Sequence, residues 1–377
     1  MRTVRDIPVL ENIPVLLRTS LNVPVENGKV ENTFRLESAL PTINYLRERH
    51  AKVVLISHIT GTGTETLKPM YEAMQKWLPD IAWCPVATGK EARDAVRALS
   101  PGGVLMLENL RRNPGEEKND PEFAKELASL ADVFVEDSFD VCHREHASIV
   151  GVPTLLPSYA GLTVEAEVES LTRALSPAHP SLAIIAGAKF STKEPVIRKL
   201  LASYDHVFVG GALANDFLKA SGYPVGASLV SNERQTEIEE LLKNKRLVLQ
   251  VDSIVAEPKA KRDAGRTAGL KEVQEHEAIL DIGPHTGAAL TDLANHAKTI
   301  LWNGPLGLYE HGFTDGTKML AKAVAGSSAH SYVGGGDTIA AIEELGLTPH
   351  YAFLSTGGGA MLDFLAYGTL PGIRALK

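Results

Sequence analysis

Cysteine, positive charge and long apolar runs are all scarce in this sequence. Cys84 and Cys142 are the two cysteines among 377 residues, a number typical of chains that fold without disulfide bonds in a reducing compartment. The formal net charge of −8 disfavours nucleic acid as a partner. The apolar runs fall short of the ~20 residues that span a bilayer, and polar residues interrupt the opening MRTVRDIPVLENI, which predicts no signal peptide. We therefore expect a cytoplasmic protein that binds neither nucleic acid nor membranes.

The residues that are abundant predict a globular chain with two domains. Hydrophobic residues make up 44% of the chain and charged residues 22%, with 32 glycines and 21 prolines to form turns. A chain of 377 residues is longer than the size at which a single hydrophobic core stops growing. Two separate cores are therefore expected.

The first half alternates short apolar runs with polar loops. Lys52–Ser57 is a continuous apolar run of the kind found in parallel sheets, and similar runs recur at Val15–Arg18, Val104–Leu107 and Val133–Val135. Phe34–Arg49 carries apolar residues at helical spacing. This order of strand, loop and helix predicts a doubly wound parallel sheet, in which ligands bind beyond the carboxyl ends of the strands.

A break rich in proline at 153–161 separates the two halves, and Thr163–Leu175 is predicted to be a helix that joins two domains. Six further strands follow, and four of them end in glycines, which suits a phosphate or nucleotide site. The first-half loops instead carry Arg and His, which suit a small anionic substrate. We therefore expect two half-sites that face each other across a cleft. The six strands are Leu182–Ile185, Val207–Val209, Leu247–Val251, Thr299–Trp302, Ser331–Val333 and Tyr351–Leu354.

The most informative stretch is 331–342, in which a strand runs into a Gly334–Gly336 turn and then a helix. Glycine lets the backbone approach a ligand closely, and a helix N-terminus attracts phosphate. Asp337 has two interpretations at this point. It either caps the helix or also holds Mg²⁺ on the phosphates of a nucleotide.

Several charged residues have two interpretations as well. Lys189 and Lys193 follow a strand end and would share one face on the first turn of a helix. They form either a solvated face or a polyphosphate site, and the spacing of a Walker A loop is absent. Four arginines lie in or beside the first-half loops and are either surface residues or part of a converging anion site: Arg18, Arg35, Arg111 and Arg144. Glu310 is either solvated or a ligand of a ribose hydroxyl.

The ordered motifs resemble the phosphoglycerate kinase family along the whole chain. Their number and order leave little room for chance similarity. The motifs include LNVP (21–24), ALPTINYL (39–46), LENLR (107–111), HREHAS (143–148), GAKFSTK (187–193), DIGP (281–284), WNGPLGLYE (302–310), GGGDT (334–338) and STGGGA (355–360).

The resemblance implies an α/β fold of two Rossmann-like three-layer domains with parallel sheets, joined by a helix and a hinge, with a cleft between them. Residues 1–160 would bind the acceptor, 161–176 would join the domains, 177–362 would bind nucleotide and 363–377 would return to the first domain. The implied reaction is reversible, Mg²⁺-dependent phosphoryl transfer between ATP and the carboxylate of 3-phosphoglycerate, which gives 1,3-bisphosphoglycerate and ADP. Members are usually monomeric, so we expect a monomer whose domains close on the reactants.

The resemblance also implies roles for individual residues. Arg35 and Lys193, with the backbone of Gly336 and Gly358, would stabilise the phosphoryl group during transfer, and Asp337 would hold Mg²⁺. The acceptor would contact Ser20, Asn22, Arg35, His58, Arg111 and Arg144. The nucleotide would contact Lys189, Lys193, Gly211, Gly283, Asn303, Pro305, Glu310, Gly335, Gly336, Asp337 and Thr338.

The sequence departs from the family pattern mainly in the acceptor loops. Ser20 replaces the aspartate that accepts the substrate hydroxyl, and Gly61 replaces an arginine that binds the substrate's own phosphate. Thr192 replaces an aspartate between the two lysines. Glu136 replaces an asparagine and Asp140 replaces a glycine, and both would add negative charge near the acceptor. Two hypotheses follow: a phosphoglycerate kinase with an altered acceptor site, or a paralogous kinase that forms an acyl phosphate on a different carboxylate. Retention of the catalytic Arg, Lys and Asp disfavours a third, a non-catalytic scaffold.

Overall fold

The computed structural model describes residues 1–231 and 234–376, which form two compact units. The first unit runs from Met1 to Glu169 and includes the chain from Thr369 onward, and the second runs from Ser170 to Gly368. The boundary at residues 169 and 170 falls inside the segment predicted to be a joining helix. Across the described ranges, no helix is long and apolar enough to cross a membrane.

The first unit is built on a sheet of six parallel strands. The strands of this unit are β1 (Pro14–Thr19), β2 (Val25–Glu26), β3 (Lys29–Val30), β4 (Lys52–Ile56), β5 (Ala82–Cys84), β6 (Val104–Leu107), β7 (Val133–Asp137) and β8 (Ser158–Ala160). The sheet order is β5-β6-β4-β1-β7-β8, and β2 and β3 form a separate hairpin. The strand order reverses at β1, which pairs with β4 on one side and β7 on the other. A ligand site is therefore expected beyond the ends of these three strands.

The core of the first unit explains why the predicted strands and helix form. Residues of β1 and β4 are almost entirely buried, because a parallel sheet is covered on both faces. Leu36, Ile43 and Leu46 lie on one face of the first helix and pack into the same core. The helices of this unit are α1 (Phe34–Arg47), α2 (Lys68–Met74), α3 (Gly89–Ala98), α4 (Pro121–Ala128) and, at its boundary, α5 (Leu162–Ala174).

The second unit also has a six-stranded parallel sheet. Its strands are β9 (Ser181–Ala186), β10 (His206–Gly210), β11 (Leu247–Val248), β12 (Asp252–Ala256), β13 (Arg266–Gly269), β14 (Ala278–Ile282), β15 (Thr299–Asn303), β16 (His330–Gly334) and β17 (Phe353–Ser355). The main sheet has the order β11-β10-β9-β15-β16-β17. Its strand order reverses at β9, which pairs with β10 and β15. The predicted α/β architecture with parallel sheets is thus confirmed in both units.

A three-stranded antiparallel sheet in the second unit was not predicted. Its order is β13-β12-β14, and β12 pairs with both neighbours in antiparallel register. The strand predicted over 247–251 ends at Val248, because the chain leaves the parallel sheet there and enters β12 at Asp252. The missed edge strands β5 and β8 have three residues each, too few for a recognisable apolar run.

The remaining helices lie between these strands or at the end of the chain. They are α6 (Phe190–Ser203), α7 (Ala212–Ala220), α8 (Gln235–Leu241), α9 (Pro284–His296), α10 (Asp315–Gly326), α11 (Gly336–Glu344), α12 (Gly359–Tyr367) and α13 (Pro371–Ala375). The last of these belongs to the first unit, where the Gly372 N–H donates to the Cys142 carbonyl at 2.8 Å.

Candidate functional site

The first unit gathers basic side chains at the carboxyl ends of β1 and β4. Arg18, near the end of β1, is 1% exposed. Its Nη2 lies 3.0 Å from Nδ1 of His58, and its Nε donates to Oγ of Ser148 at 3.1 Å. A buried guanidinium needs hydrogen-bond partners for its donors. These contacts therefore fix the end of β1 against the loop after β4.

His58 is held as a neutral donor. Burial, together with the charge of Arg18, lowers the pKa of His58 well below its ordinary value. Arginine has no acceptor atom, so Nδ1 of His58 must accept from Arg18 and the ring proton is assigned to Nε2. An Nε2–H donor suits an oxygen of a carboxylate or a phosphate.

Glu116 supports this arrangement, although the sequence analysis assigned it no role. The side chain is fully buried and accepts from the N–H and the hydroxyl of Ser148 at 3.0 and 2.6 Å. Burial raises the pKa of Glu116, and the charge of Arg18 opposes that rise. Ser148 therefore connects a buried carboxylate to the buried guanidinium of Arg18. In the sequence Glu116 lies in a charged run, NPGEEKND, which resembles a solvated loop.

Asn22 brings together three of the predicted acceptor residues. Its side chain exchanges two hydrogen bonds with Thr60, one to the hydroxyl and one from the N–H, each 3.1 Å long. Arg111 Nη1 donates to the same hydroxyl at 3.0 Å. Arg35 Nη1 donates to the carbonyl of Asn22 at 2.8 Å. Burial lowers the pKa of the Arg111 guanidinium, although the charge of Glu117 opposes this, so an additional anion would stabilise its charged form.

Ser20 and Asp140, two of the departures from the family pattern, are in contact. Ser20 Oγ donates to Asp140 Oδ2 at 2.8 Å, and Ser138 Oγ donates to Oδ1 at 2.8 Å. Arg35 Nη1 lies 3.5 Å from the same Oδ2. A carboxylate is therefore present beside residue 20 even though residue 20 itself is a serine.

The space beside Gly61 is filled by Glu65. A Cβ at Gly61 would lie 2.1 Å from the Glu65 side chain. The N–H groups of Thr62 and Gly63 donate to that carboxylate at 2.6 and 2.8 Å and, with the Thr62 bond the largest cause, lower the pKa of Glu65 to about 2. An arginine at position 61 would therefore displace Glu65 from its loop.

Arg144 and Glu136 complete the predicted features of the first unit. Arg144 is exposed, and its charge contributes to the lowered pKa values of Arg111 and His146. Glu136 is fully buried, and burial raises its pKa well above the ordinary value, so its protonated form is favoured. Burial therefore opposes the negative charge that Glu136 was expected to add near the acceptor, and Asp140 is the carboxylate that contacts Ser20.

Lowering the pH is expected to destabilise the first unit through His146. Burial, helped by the charge of Arg111, lowers the pKa of His146 to about 4, whereas the unfolded value is about 6.5. Below pH 6.5 the unfolded chain binds a proton that the folded chain does not, so stability falls as the pH approaches 4. We expect the wild type to lose this stability and His146→Gln to keep it. In urea titrations between pH 6.5 and 4, the unfolding free energy of His146→Gln should therefore rise relative to that of the wild type by up to roughly 3 kcal/mol. Parallel pH profiles for the two proteins would contradict the prediction.

The second unit contains a cavity of about 480 Å³ beyond the ends of β9, β10 and β15. This size fits a small organic ligand. Glycine turns at Gly187 and Gly211 form one wall, and Ala278–Asp281 of β14 form another. Glu310 and Asp337 lie at its edge. The antiparallel sheet that was not predicted therefore supplies part of the cavity.

Glycine is required at two of these strand ends. A Cβ at Gly304 would lie 2.2 Å from the carbonyl oxygen of Ala186, and one at Gly211 would lie 2.9 Å from the backbone N of Gly187. Both glycines also have positive φ, +98° and +65°. The turns after β9, β10 and β15 therefore pack backbone against backbone and leave their N–H groups near the cavity.

The two predicted lysines do not share one helical face. Lys189 is the exposed N-cap residue of α6, and Lys193 lies within the first turn. The Lys193 side chain folds over Gly187, where a Cβ would lie 2.8 Å from its Nζ. Burial lowers the pKa of Lys193, so an anion beside its ammonium group would stabilise the charged form.

Asp337 is not the N-cap of α11, because Gly335 occupies that position. Burial, with the charge of Glu310, raises the pKa of Asp337. A divalent cation would offset both effects, and a carboxylate with phosphate oxygens and water is a donor set that Mg²⁺ accepts. Within residues 1–231 and 234–376, no group of three or more His, Cys, Asp or Glu forms a ready metal site. A Mg²⁺ ion at Asp337 would therefore need phosphate oxygens or water for its remaining ligands.

Some of the other predicted residues are accessible to a ligand, whereas Thr338 is buried. Pro305 lines the cavity, and Gly336 and Gly358 have open space where a Cβ would be, so their backbone is accessible to a ligand. Thr338 is fully buried, and its Oγ1 is among the buried polar atoms without a hydrogen-bond partner.

Gly283 and Asn303 are two of the predicted nucleotide residues that lie outside the lining of the cavity. Gly283 is the N-cap of α9, where a Cβ would meet the Asp252 carboxylate. Asn303 is buried against Met361. Gln250 and Leu280 line the cavity instead, and the apolar run at 278–282 was the signal for that wall.

Comparison with known proteins identifies the family. A profile described as phosphoglycerate kinase matches residues 4–367. Proteins named phosphoglycerate kinase from Moorella thermoacetica and Thermus thermophilus are 43% and 42% identical to this chain. The first alignment covers 99% of this chain and 98% of the relative, and the second covers 100% of both.

Two solved structures are also similar over nearly their whole length. Phosphoglycerate kinase from Coxiella burnetii has a TM-score of 0.85 and 39% identity, with 99% of this chain and 98% of the other covered. The enzyme from Pyrococcus horikoshii OT3 has a TM-score of 0.89 and 32% identity, with 100% and 98% covered. The matching sequence motifs, both parallel sheets and these similarities over the full chain lead to one conclusion: the chain belongs to the phosphoglycerate kinase family.

Proposed function

We propose that this protein catalyses reversible, Mg²⁺-dependent phosphoryl transfer between ATP and the carboxylate of 3-phosphoglycerate. The observation that carries the proposal is which residues lie where the strand order of each sheet reverses, at β1 and at β9. Arg35, His58 and Arg111 are gathered in the first unit, whereas Lys193 and glycine turns adjoin a cavity in the second. Family membership supports the same reaction.

The reaction does not require a general base. The acceptor is a carboxylate, which is ionised at neutral pH. One of its oxygens forms a bond to the γ-phosphorus of ATP while the bond from that phosphorus to ADP breaks. The protein therefore needs to orient the reactants and neutralise the transferring group.

The first unit would bind the acceptor through donors of hydrogen bonds. The Nε2–H of His58 and the guanidinium groups of Arg111 and Arg144 suit the oxygens of its carboxylate and phosphate. Asn22 fixes the loops that carry them through its bonds to Thr60. Arg35, bonded to the carbonyl of Asn22, would neutralise the transferring phosphoryl group.

The second unit would bind the nucleotide in the cavity of about 480 Å³. The backbone N–H groups at the start of α11 suit phosphate oxygens, and Lys193 would add a positive charge beside them. Bound Mg²⁺ would neutralise phosphate charge. Glu310, at the edge of the cavity, would accept a ribose hydroxyl.

Asp337→Asn is expected to raise the Mg²⁺ concentration needed for half-maximal activity by about 10-fold or more. The substitution removes the charge of the carboxylate at the start of α11 and preserves its shape. Activity would be measured over a range of Mg²⁺ at fixed ATP, and binding of Mg²⁺ with ATP by calorimetry. Asp292→Asn is the matched control, since Asp292 is an exposed residue of α9. An unchanged Mg²⁺ dependence for Asp337→Asn would show that this carboxylate is not a ligand.

A coupled assay tests the proposed function directly. The protein is supplied with ATP, Mg²⁺ and 3-phosphoglycerate, and the acyl phosphate is read through a downstream reductive step. Turnover at about 1–100 s⁻¹ or above is expected. Turnover at the level of the reaction without enzyme would contradict the proposal.

The Glu65 carboxylate at Gly61 favours a second candidate, a kinase for a carboxylate that lacks a distal phosphate. An anion in this loop would repel a phosphate that an arginine would attract. Trapping of acyl phosphates with hydroxylamine across a panel of carboxylates distinguishes the two candidates. A preference for an unphosphorylated acid would favour the second.

A further inference from the structure

The pair formed by Ser20 and Asp140 brings a carboxylate beside two of the proposed acceptor residues, Ser20 and Arg35. Asp140 is 9% exposed and Ser20 is 7% exposed. They are 120 residues apart in the chain, and the 2.8 Å bond from Ser20 Oγ to Asp140 Oδ2 joins the loops after β1 and β7. Arg35, at 3.5 Å from Oδ2, places this carboxylate beside a proposed catalytic residue.

Most of the neighbouring side chains donate hydrogen bonds. Arg35 and Arg111 carry donors alone, and His58 offers Nε2–H because its Nδ1 accepts from Arg18. The side-chain oxygen of Asn22 already accepts from the Thr60 N–H. Such groups suit the carboxylate and phosphate of the acceptor. Its 2-hydroxyl is different, because a hydroxyl proton needs an acceptor.

Ser20 and Asp140 together supply that acceptor. Ser20 gives its own proton to Asp140, so the lone pairs of its Oγ remain available to accept. Each oxygen of Asp140 accepts one serine hydroxyl, and a carboxylate has about four lone-pair positions in all. A chain of two hydrogen bonds, from substrate hydroxyl to Ser20 and from Ser20 to Asp140, is therefore available.

We propose that Asp140, acting through Ser20, is a positioning residue that recognises the hydroxyl group next to the reacting carboxylate. This inference rests on the proposed function and adds a positioning residue for its acceptor. In the family pattern the carboxylate stands at position 20 and a glycine at position 140. In this protein the carboxylate belongs to Asp140, in the loop after β7, and Ser20 would link it to the substrate hydroxyl by hydrogen bonds.

The test is a double-substitution cycle with two substrates. Wild type, Ser20→Asp, Asp140→Gly and the double variant are assayed with 3-phosphoglycerate and with 3-phosphopropionate, which lacks the hydroxyl. Asp140→Gly should raise KM for 3-phosphoglycerate roughly 10- to 100-fold and leave KM for 3-phosphopropionate nearly unchanged. Adding Ser20→Asp to Asp140→Gly should restore KM, because one carboxylate again faces the hydroxyl. Ser20→Asp alone should raise KM, since two carboxylates then face each other.

Two results would overturn the inference. One is an equal rise in KM for both substrates in Asp140→Gly, and the other is no restoration by Ser20→Asp. If Asp140→Gly does not fold, the isosteric Asp140→Asn takes its place, with the same loss of preference expected. Asp216→Asn is the matched control, because Asp216 is also buried and accepts a serine hydroxyl, that of Ser231, at 2.9 Å. It should leave the preference for the hydroxylated substrate unchanged.

Failure of the proposed function would be recognised separately. If wild type turns over neither compound, the proposed reaction is wrong, and calorimetric binding of the same two compounds decides the inference. Wild type must then bind the hydroxylated compound more tightly, and Asp140→Gly must lose that preference. Equal binding of both compounds by wild type would overturn the inference.

Discussion

Replacing Arg35 with alanine is expected to lower kcat by about 10³-fold, with a smaller effect on KM for the acceptor. Guanidinium groups that neutralise a transferring phosphoryl group contribute about this much or more to the rate. Arg35 is positioned for this role by its bond to the Asn22 carbonyl and its ion pair with Asp140. The coupled assay at saturating ATP gives kcat, and acceptor titration gives KM. The kcat of Arg35→Lys should lie between those of the wild type and Arg35→Ala, because lysine keeps the positive charge and lacks the planar guanidinium group.

The control for Arg35 lies on the same helix. Arg47, the last residue of α1, pairs with Asp80 at 2.8 Å. Arg47→Ala should leave kcat unchanged and cost at most about 1 kcal/mol of stability. A kcat for Arg35→Ala within about tenfold of the wild type would contradict a role in phosphoryl transfer, because the loss expected from such a group is far larger.

Replacing Lys193 with methionine is expected to lower kcat by about 10²- to 10³-fold. The ammonium group lies over Gly187 at the wall of the nucleotide cavity. Burial lowers its pKa, so its charged form gains most from a phosphoryl group that accumulates negative charge in the transition state. Methionine keeps much of the side-chain volume and removes the charge. Single-turnover measurements would separate the chemical step from nucleotide binding.

Lys199 provides the matched control on the same helix, because it is an exposed residue of α6. Lys199→Met should retain the wild-type kcat and KM for ATP. If Lys193→Met instead raises KM for ATP without lowering kcat, Lys193 contributes only to ground-state binding. That outcome would contradict its proposed catalytic role.

The parallel sheets were predictable because their signal is local. A strand covered on both faces must be apolar along its whole length, as at 52–57 and 299–302, and each such strand ends in a polar or glycine-rich loop. The ordered motifs then identified the family. The antiparallel sheet was missed because β12 follows β11 after a short turn, so the two resemble one apolar run.

The acceptor site required the tertiary structure. In the sequence, Ser20 and Gly61 stand for the loss of an aspartate and an arginine of the family pattern, and Asp140 is an additional negative charge with no visible connection to them. The fold places Asp140 at 2.8 Å from Ser20 and fills the space beside Gly61 with Glu65. Burial also favours the protonated form of Glu136, which its residue type does not reveal. Such contacts join residues up to 120 positions apart, and no spacing rule encodes them.

The proposed nucleotide site was also predictable only in part from the sequence. Glycines at strand ends and the charges of Lys193 and Asp337 are visible in the chain, because phosphate binding depends on backbone approach and charge at a strand end. Which residues line the cavity depends on how neighbouring strands pack. Gly283 therefore caps α9, whereas Leu280, from the same segment, lines the cavity. Local residue patterns decided the strands and the chemical character of each site, and packing between distant strands decided which side chains meet.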